Sequence, residues 1–328
     1  MNIDHLKLLV CPVSQRPLRI SDASEVESGV VMSGSLICDQ NGKEYPIIGG
    51  IPRFVERENY ASGFGLEWVN HAKTQYDSYS GINASEKRFY EQTHWGRDLK
   101  GQLVLEVGSG SGRFTEQAAL TGATVVSLDY SYAVEANFKS NGHRSNVLIV
   151  QADIFAMPFP RGCFDKVFCF GMLQHTPDPK AAFNALPAFL KPGGMLCADI
   201  YKATLLRTLL NTKHYVRPFT RNIEPEKLYA AVVKYIDFMW PLASLIRKLP
   251  KGHGINWRLL IADYSSLGLK GEILKEWAYL DTFDMLSPKY DLHVSEQTFR
   301  SWVVESGLSD IETELTGHGV VARARKAA

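Results

Sequence analysis

A doubly wound α/β sheet is the fold class this sequence predicts, and three observations predict it. Residues 103–107, Leu-Val-Leu-Glu-Val, are an apolar run that stops at a glycine-rich turn, Gly108-Ser109-Gly110-Ser111-Gly112. A helix-compatible stretch follows, and a second apolar run from Thr124 ends on an acid, Asp129. Apolar runs then alternate with helix-like stretches as far as Tyr201. Strand, glycine turn, helix, strand and acid in that order open a parallel sheet whose ligand crevice lies at the carboxyl ends of the strands. Glycine lets a ligand approach the backbone because no Cβ stands in the way. An acid at the tip of the second strand is placed to accept hydrogen bonds from ribose hydroxyls.

The later elements follow from the same reading. A helix after Ser131 should close at Asn141-Gly142, residues that tolerate a left-handed conformation. The third strand runs from Asn146 to Asp153 and Ile154, and the fourth from Phe164 to Gly171, leading into His175. Pro179 suits a first helical position, and Pro187 predicts a kink or early break in that helix. Lys191-Pro-Gly-Gly194 turns into a fifth strand, Met195 to Tyr201. A helix from Ser295 to Gly307, then a hairpin from Asp310 and Gly319, complete the sheet with an antiparallel last strand beside the fifth. A dinucleotide dehydrogenase would continue into a second βαβ half, and none is present.

The turn reads G-x-G-x-G, not the G-x-G-x-x-G of a dinucleotide fingerprint, and Glu106 precedes it on the strand. That pattern, with the segments after it, resembles motif I and its successors in the class I S-adenosylmethionine-dependent methyltransferases. The resemblance implies a seven-stranded Rossmann-like sheet and S-adenosyl-L-methionine as cofactor. Its site would comprise Glu106, Gly108, Ser109, Gly110 and Gly112, then Asp129 and Tyr130, then Asp153, Ile154 and Phe170. Asp153 would bond the adenine amino group and Ile154 would pack on the ring.

Apolar residues make up 45% of the 328 and charged residues 22%, as in a soluble globular protein. A net charge of +1 gives no global electrostatic footprint for nucleic acid. Five cysteines, an odd number without a paired framework, suggest a reducing, cytoplasmic compartment. Neither a signal peptide nor a membrane-spanning helix is expected.

Additions surround the core, which is expected at 101–202 and 293–328. Residues 1–58 read as a small β-rich module. Its Tyr45-Pro-Ile and Gly50-Ile-Pro52 stretches resemble the zinc-ribbon-like domain of the tRNA-methyltransferase activator subunit family. A full ribbon needs four thiolates; here Ser14 and Asn41 replace two of them beside Cys11 and Cys38. No metal is therefore expected, and the two cysteines read as packed residues. Residues 59–100 read as a helical cover, with Ser85 as an N-cap. Tyr76, Tyr79, Arg88 and Trp95 either line the methionine end of the cofactor pocket, where Arg88 would suit its carboxylate, or simply pack between modules. Residues 203–292 read as a mainly helical cap over an acceptor pocket. Its basic stretch, Lys213, His214, Tyr215, Arg217 and Arg221, reads as a solvated face in preference to an anion site.

Methyl transfer is an in-line displacement that needs the acceptor held in attack geometry, water excluded and a route for a proton. His175, just past the fourth strand, is the candidate base, with Asp281, Tyr290 and His293 in reserve. A small-molecule acceptor is the leading reading. An rRNA or tRNA methyltransferase is the alternative within enzymes, although near-zero charge counts against nucleic acid. A non-catalytic scaffold that binds S-adenosylmethionine is the alternative outside them, and the intact acids at 106, 129 and 153 count against it. No membrane partner is expected, and a homo-oligomer is compatible with this reading.

Overall fold

The apolar runs form strands because both of their faces are covered. The computed structural model describes residues 1–328 apart from 23, 28, 57–60 and 204–210. Every residue of β8 (Val147–Gln151) is buried, and β6 (Leu103–Val107) and β7 (Thr124–Asp129) are partly exposed only at their ends. Such continuous burial belongs to parallel strands with helices on each side. With β9 (Phe164–Cys169), β10 (Leu190–Ile200), β11 (Leu308–Thr316) and β12 (Gly319–Lys326) they make a seven-stranded sheet in the order β11-β12-β10-β9-β6-β7-β8. β12 pairs antiparallel with both β10 and β11, which is the expected insertion of the last strand beside the fifth.

The helices follow in chain order as α1 (Ser62–Asn70), α2 (Asp77–Ser80), α3 (Ala84–Thr93), α4 (Arg113–Leu120), α5 (Val134–Asn141) and α6 (Pro179–Ala185). α6 stops before Pro187, and a 3-10 turn, Leu186–Phe189, carries the chain on. α5 closes at Asn141 and Gly142 as expected, with Gly142 at a right-handed φ of −64°, and the Asn141 side-chain amide is buried and donates to Gly112 O and Tyr76 Oη, each 3.0 Å away. One predicted helix start differs. Ser85 is not the cap of α3: the Asp77 carboxylate accepts from the Ser85 and Glu86 amides at 2.8 and 2.7 Å, and the Ser85 hydroxyl donates to Gln75 O.

The amino-terminal module is a five-stranded sheet of β1 (Arg19–Ile20), β2 (Glu25–Glu27), β3 (Val30–Ile37), β4 (Glu44–Ile48) and β5 (Ile51–Pro52). It has no core of its own: Leu9, Leu36 and Ile47 share one buried cluster with Val150, Met157 and Phe159 of the central sheet's face. It docks on the outer edge of β8, where the Phe54 amide donates to Gln151 O at 2.8 Å and Arg53 Nη1 to Gln151 Oε1 at 2.7 Å. Cys11 and Cys38 are fully buried and meet the residues that replace the missing thiols. Tyr45 Oη lies 3.2 Å and Asn41 Nδ2 3.5 Å from Cys11 Sγ, and Ser14 Oγ lies 3.3 Å from Cys38 Sγ. The expected boundary at residues 58 and 59, and the cap's beginning at 204–210, lie outside the described residues.

The cap is helical: α7 (Lys213–Thr220), α8 (Pro225–Ile246), α9 (Gly252–Arg258) and α10 (Gly271–Leu286), before α11 (Glu296–Glu305) returns to the sheet. Leu228, Val232, Ile236 and Ala243 of α8 bury against Phe283 and Leu286 of α10, and Leu66 of α1 packs on the same cluster. The opposite side of α8 presents Phe238, 83% exposed, with Leu242 and Leu245. α8 is long and apolar enough, by length and composition alone, to cross a bilayer, which corrects the expectation that no helix would be. The basic stretch is corrected in part: Tyr215 and Arg221 are exposed as expected, but two of its cations are not. Lys213 and Arg217 do not face solvent: both are nearly buried and pair with Asp291, at 3.0 and 3.1 Å.

Candidate active site

The carboxyl ends of β6, β7, β8 and β9 open into a cavity of about 1060 Å³, roofed by α1 and α10. Its floor is the glycine turn. The Gly108 and Ser109 amides both donate to Leu128 O, at 2.8 and 3.1 Å, so the turn is tied to β7. Gly108 has φ +84°, and a Cβ there would sit 2.5 Å from Met172 Cβ. Gly110 has φ +52°, and a Cβ there would meet the Trp68 indole nitrogen at 2.9 Å. Any other residue would strain the backbone and fill the cradle.

Eight of the ten cofactor residues suggested by the sequence line this cavity: Gly108, Ser109, Gly110, Asp129, Tyr130, Asp153, Ile154 and Phe170. Asp129 Oδ2 accepts from the Gly110 amide at 2.8 Å, and Oδ1 from the Ser131 amide and hydroxyl at 2.8 and 2.7 Å. Burial pushes its carboxyl up, and these three donors pull it back. Asp153 caps the short helix after β8 through the Phe155 amide at 3.0 Å. Phe170 packs edge-on to Phe114 at 5.4 Å.

Glu106 and Gly112 are not on the cavity wall. Glu106 is 1% exposed and lies beneath the turn, where one oxygen accepts from Thr115 and Ser127. Burial raises its carboxyl to about 8, with those two hydroxyls opposing, so it is largely protonated at neutral pH. It thereby ties α4 and β7 to β6 instead of facing a ligand. Gly112 is glycine because a Cβ would lie 2.1 Å from Asn137 Oδ1. Tyr76 belongs to the same layer: its hydroxyl donates to Ser111 O at 2.7 Å.

Of the four residues weighed for the methionine end, Arg88 alone lines the cavity, and its charge is committed elsewhere. Its guanidinium meets Asp199 at 2.6 Å, with 9% and 1% of the two side chains exposed. Asp199 also accepts from the Gly171 amide, which pins the loop after β9. Trp95 packs on Phe89 and Phe168, and Tyr79 bonds Glu276 at the surface. A second guanidinium on the cavity wall belongs to Arg113, at the start of α4, for which the described residues show no hydrogen bond or ion pair. Burial and neighbouring Arg88 lower it to about 10, so it stays charged. The sequence reading passed over it because it sits inside the motif as an unremarked position.

His175 reaches the cavity as expected. Its Nδ1 lies 3.0 Å from Tyr290 O, a carbonyl that can only accept, so Nδ1 carries a proton and the neutral tautomer has its lone pair on Nε2. Phe64 and Tyr201 flank the ring at 4.9 and 5.8 Å. Of the reserve residues, Asp281 lines the cavity, Tyr290 supplies that carbonyl, and His293 is off the wall, paired with Asp291 at 3.0 Å. Glu67, not singled out from sequence, is 1% exposed and also on the wall. Its signal was an acid three residues after Phe64 on a helix whose neighbours there are aromatic.

Residues 105–198 match the sequence model of a methyltransferase domain. The chain carries a methyltransferase domain. S-adenosylmethionine is the methyl donor of such a domain, and the residues present fit it: a glycine turn on the cavity wall, Asp129 at the second strand tip, the buried and unpartnered Ser109 hydroxyl, and Arg113, without an ion pair among the described residues. A ubiquinone biosynthesis O-methyltransferase of Xanthomonas oryzae pv. oryzae is 38% identical over 114 residues, 34% of this chain and 46% of that protein. The enzyme of that name from Azotobacter vinelandii is 34% identical over 145 residues, 38% of this chain and 61% of that protein. The chain thus spans about half the length of these curated relatives. An uncharacterised chloroplastic methyltransferase of Arabidopsis thaliana is 24% identical across 68% of this chain and 69% of its own. The solved structure of an O-methyltransferase family protein from Burkholderia thailandensis covers 77% of this chain and 59% of its own, at 12% identity and a TM-score of 0.43.

Proposed function

We propose that this chain transfers a methyl group from S-adenosylmethionine to a small-molecule acceptor held under the cap. One observation carries the reading: the cavity that begins at the glycine turn continues to His175, whose free Nε2 is available to take a proton. Bound S-adenosylmethionine supplies an electrophilic methyl group on a sulfonium. Asp129 would hold the ribose, Asp153 and Ile154 the adenine, and Arg113 the carboxylate, as a bidentate partner. Tyr290 O holds His175 in the tautomer that accepts a proton at Nε2 as the acceptor is alkylated. The cap helices exclude water from that step. A roofed chamber and a net charge of +1 favour a small acceptor over RNA, and the ubiquinone-pathway relatives agree with that choice.

Calorimetric titration with S-adenosylhomocysteine tests the reading. Binding in the micromolar range is expected, and Arg113→Met should weaken it about tenfold or more. The same variant should bind 5′-methylthioadenosine, which lacks the carboxylate, as the wild type does. Absence of S-adenosylhomocysteine binding would remove the proposed function; an equal loss for both ligands would remove the role of Arg113.

A further inference from the structure

Two helix faces meet over the acceptor end of the cavity. On α1, Phe64, Glu67 and Trp68 fall at i, i+3 and i+4; on α10, Trp277, Asp281 and Asp284 fall at i, i+4 and i+7. All six line the cavity. The three acids are close enough to repel one another, and no ion pair to any of them occurs among the described residues. The nearby cations are engaged: Arg88 by Asp199, and Lys213 and Arg217 by Asp291. Arg113, which also acts on Asp281, faces the cofactor side, and His175, which acts on Asp284, serves as the base, both in the reading above, on which this inference rests.

A second observation is independent of the charge count. Glu67, 1% exposed, has an Oε2 without a hydrogen-bond partner, and Gln75, 6% exposed, has an Oε1 without one. Both side chains line the cavity, and Gln75 is held there by its amide, which donates to Asp281 Oδ1 at 3.2 Å. Gln75 Oε1 accepts, and Glu67, raised by burial and the neighbouring acids, accepts when ionised; the Trp277 Nε1–H beside them, also buried and without a partner, is a donor. A buried acceptor without a donor costs about 1–3 kcal/mol, so a ligand rich in donors recovers the most here. A hydroxyl offers one donor to these acceptors; an ammonium offers three and the charge that keeps the carboxylates ionised, and leaves the Trp277 N–H to a separate polar atom of the same ligand. The aromatic side chains suit a cation as well, through attraction to their ring faces.

We infer that the acceptor carries a cationic amine, seated between Glu67 and Asp284 beside Trp277. The amine anchors the acceptor while a separate atom of it is presented to the methyl group. The recognition element is therefore the helix pair α1 and α10, and not the sheet.

The test uses the whole protein saturated with S-adenosylhomocysteine and three probes of one shape: tyramine, 4-ethylphenol and 4-hydroxyphenylacetate. Calorimetry should show tyramine binding about tenfold or more tightly than 4-ethylphenol, with the anion weakest. Glu67→Gln and Asp284→Asn should each shrink the tyramine preference to roughly threefold or less while leaving S-adenosylhomocysteine affinity unchanged. That unchanged affinity shows that the variants are folded. Equal binding of the three probes, no binding of tyramine, or a preference that survives both substitutions would overturn the inference. Failure of the wild type to bind S-adenosylhomocysteine would instead strike the proposed function, and the probe ranking would then be read on the protein alone.

Discussion

Replacing Asp199 by Asn should unfold the wall of the site before it alters any ligand contact. Asp199 sits on β10 with 1% of its side chain exposed and receives both the Arg88 guanidinium at 2.6 Å and the Gly171 amide at 2.5 Å. An asparagine has the same shape but one acceptor oxygen instead of two, and its amide must point a donor at one of those donors. Arg88, 9% exposed, is then a buried cation without a counter-charge. Removing one partner of a buried pair costs about 3–5 kcal/mol. In a chain of this size that lowers the melting temperature by roughly 6–10 °C, at about 2 °C per kcal/mol. Thermal unfolding and urea titration of Asp199→Asn measure the loss. The double variant Arg88→Met with Asp199→Asn is the control: it removes the cation as well, while the asparagine carbonyl oxygen still accepts from the Gly171 amide, and it should recover most of the loss. If Asp199→Asn melted within about 2 °C of the wild type, Arg88 would have water or another partner, and the argument that this pair builds the wall would fail.

Two further outcomes are expected. His175→Gln should lower kcat by about 10²- to 10⁴-fold and leave S-adenosylhomocysteine affinity within about threefold, measured by turnover on an identified acceptor and by calorimetry. Equal kcat would remove His175 as the base. The share of stability carried by Glu106, raised to about 8, and Asp281, raised to about 7, should fall as pH rises from about 5 towards 8, because they hold protons in the folded chain that the unfolded chain has already released, while His71, lowered to about 4, and His318, lowered to about 3, act in the opposite sense up to their ordinary value. At the two carboxyls the folded form binds more protons over that window, so its advantage is present at the acidic end and is lost as pH passes the folded values. Glu106→Gln, neutral at every pH, should show a smaller drop in melting temperature between about pH 6 and pH 9, and an unchanged drop would contradict the burial argument.

What was legible in the sequence was local. The run of Leu103 to Val107, the spacing of Gly108, Gly110 and Gly112, and the acid at Asp129 each declare themselves within a few residues, and the seven-stranded sheet follows from repeating that unit. What could not be read was which charges meet. Arg88 looked available for a carboxylate because its partner, Asp199, comes 111 residues later on the fifth strand of the sheet. Lys213 and Arg217 looked solvated because Asp291, which buries them, lies 78 residues beyond Lys213. Glu106 and Asp129 both end apolar runs next to the turn. Only the register of β6 against β7, which sets Glu106 opposite Ser127, shows that the first supports the turn from below while the second faces the cavity.

The docking of Phe54 and Arg53 on Gln151 also governs how copies of this chain can meet. An open sheet has two exposed edges, each a row of backbone donors and acceptors ready to pair with another molecule. Here the β8 edge carries a segment of the chain's own amino-terminal module, bridged at Arg53 and Gln151. The other edge, β11, alternates Asp310, Glu312 and Glu314 along its exposed side, and such charges discourage a strand from adding on. Growth by extending the sheet is blocked at one end by protein and at the other by charge. Edge-to-edge addition of a strand is disfavoured by the same arrangement, while an apolar surface faces outward on a helix, where α8 presents Phe238, Leu242 and Leu245.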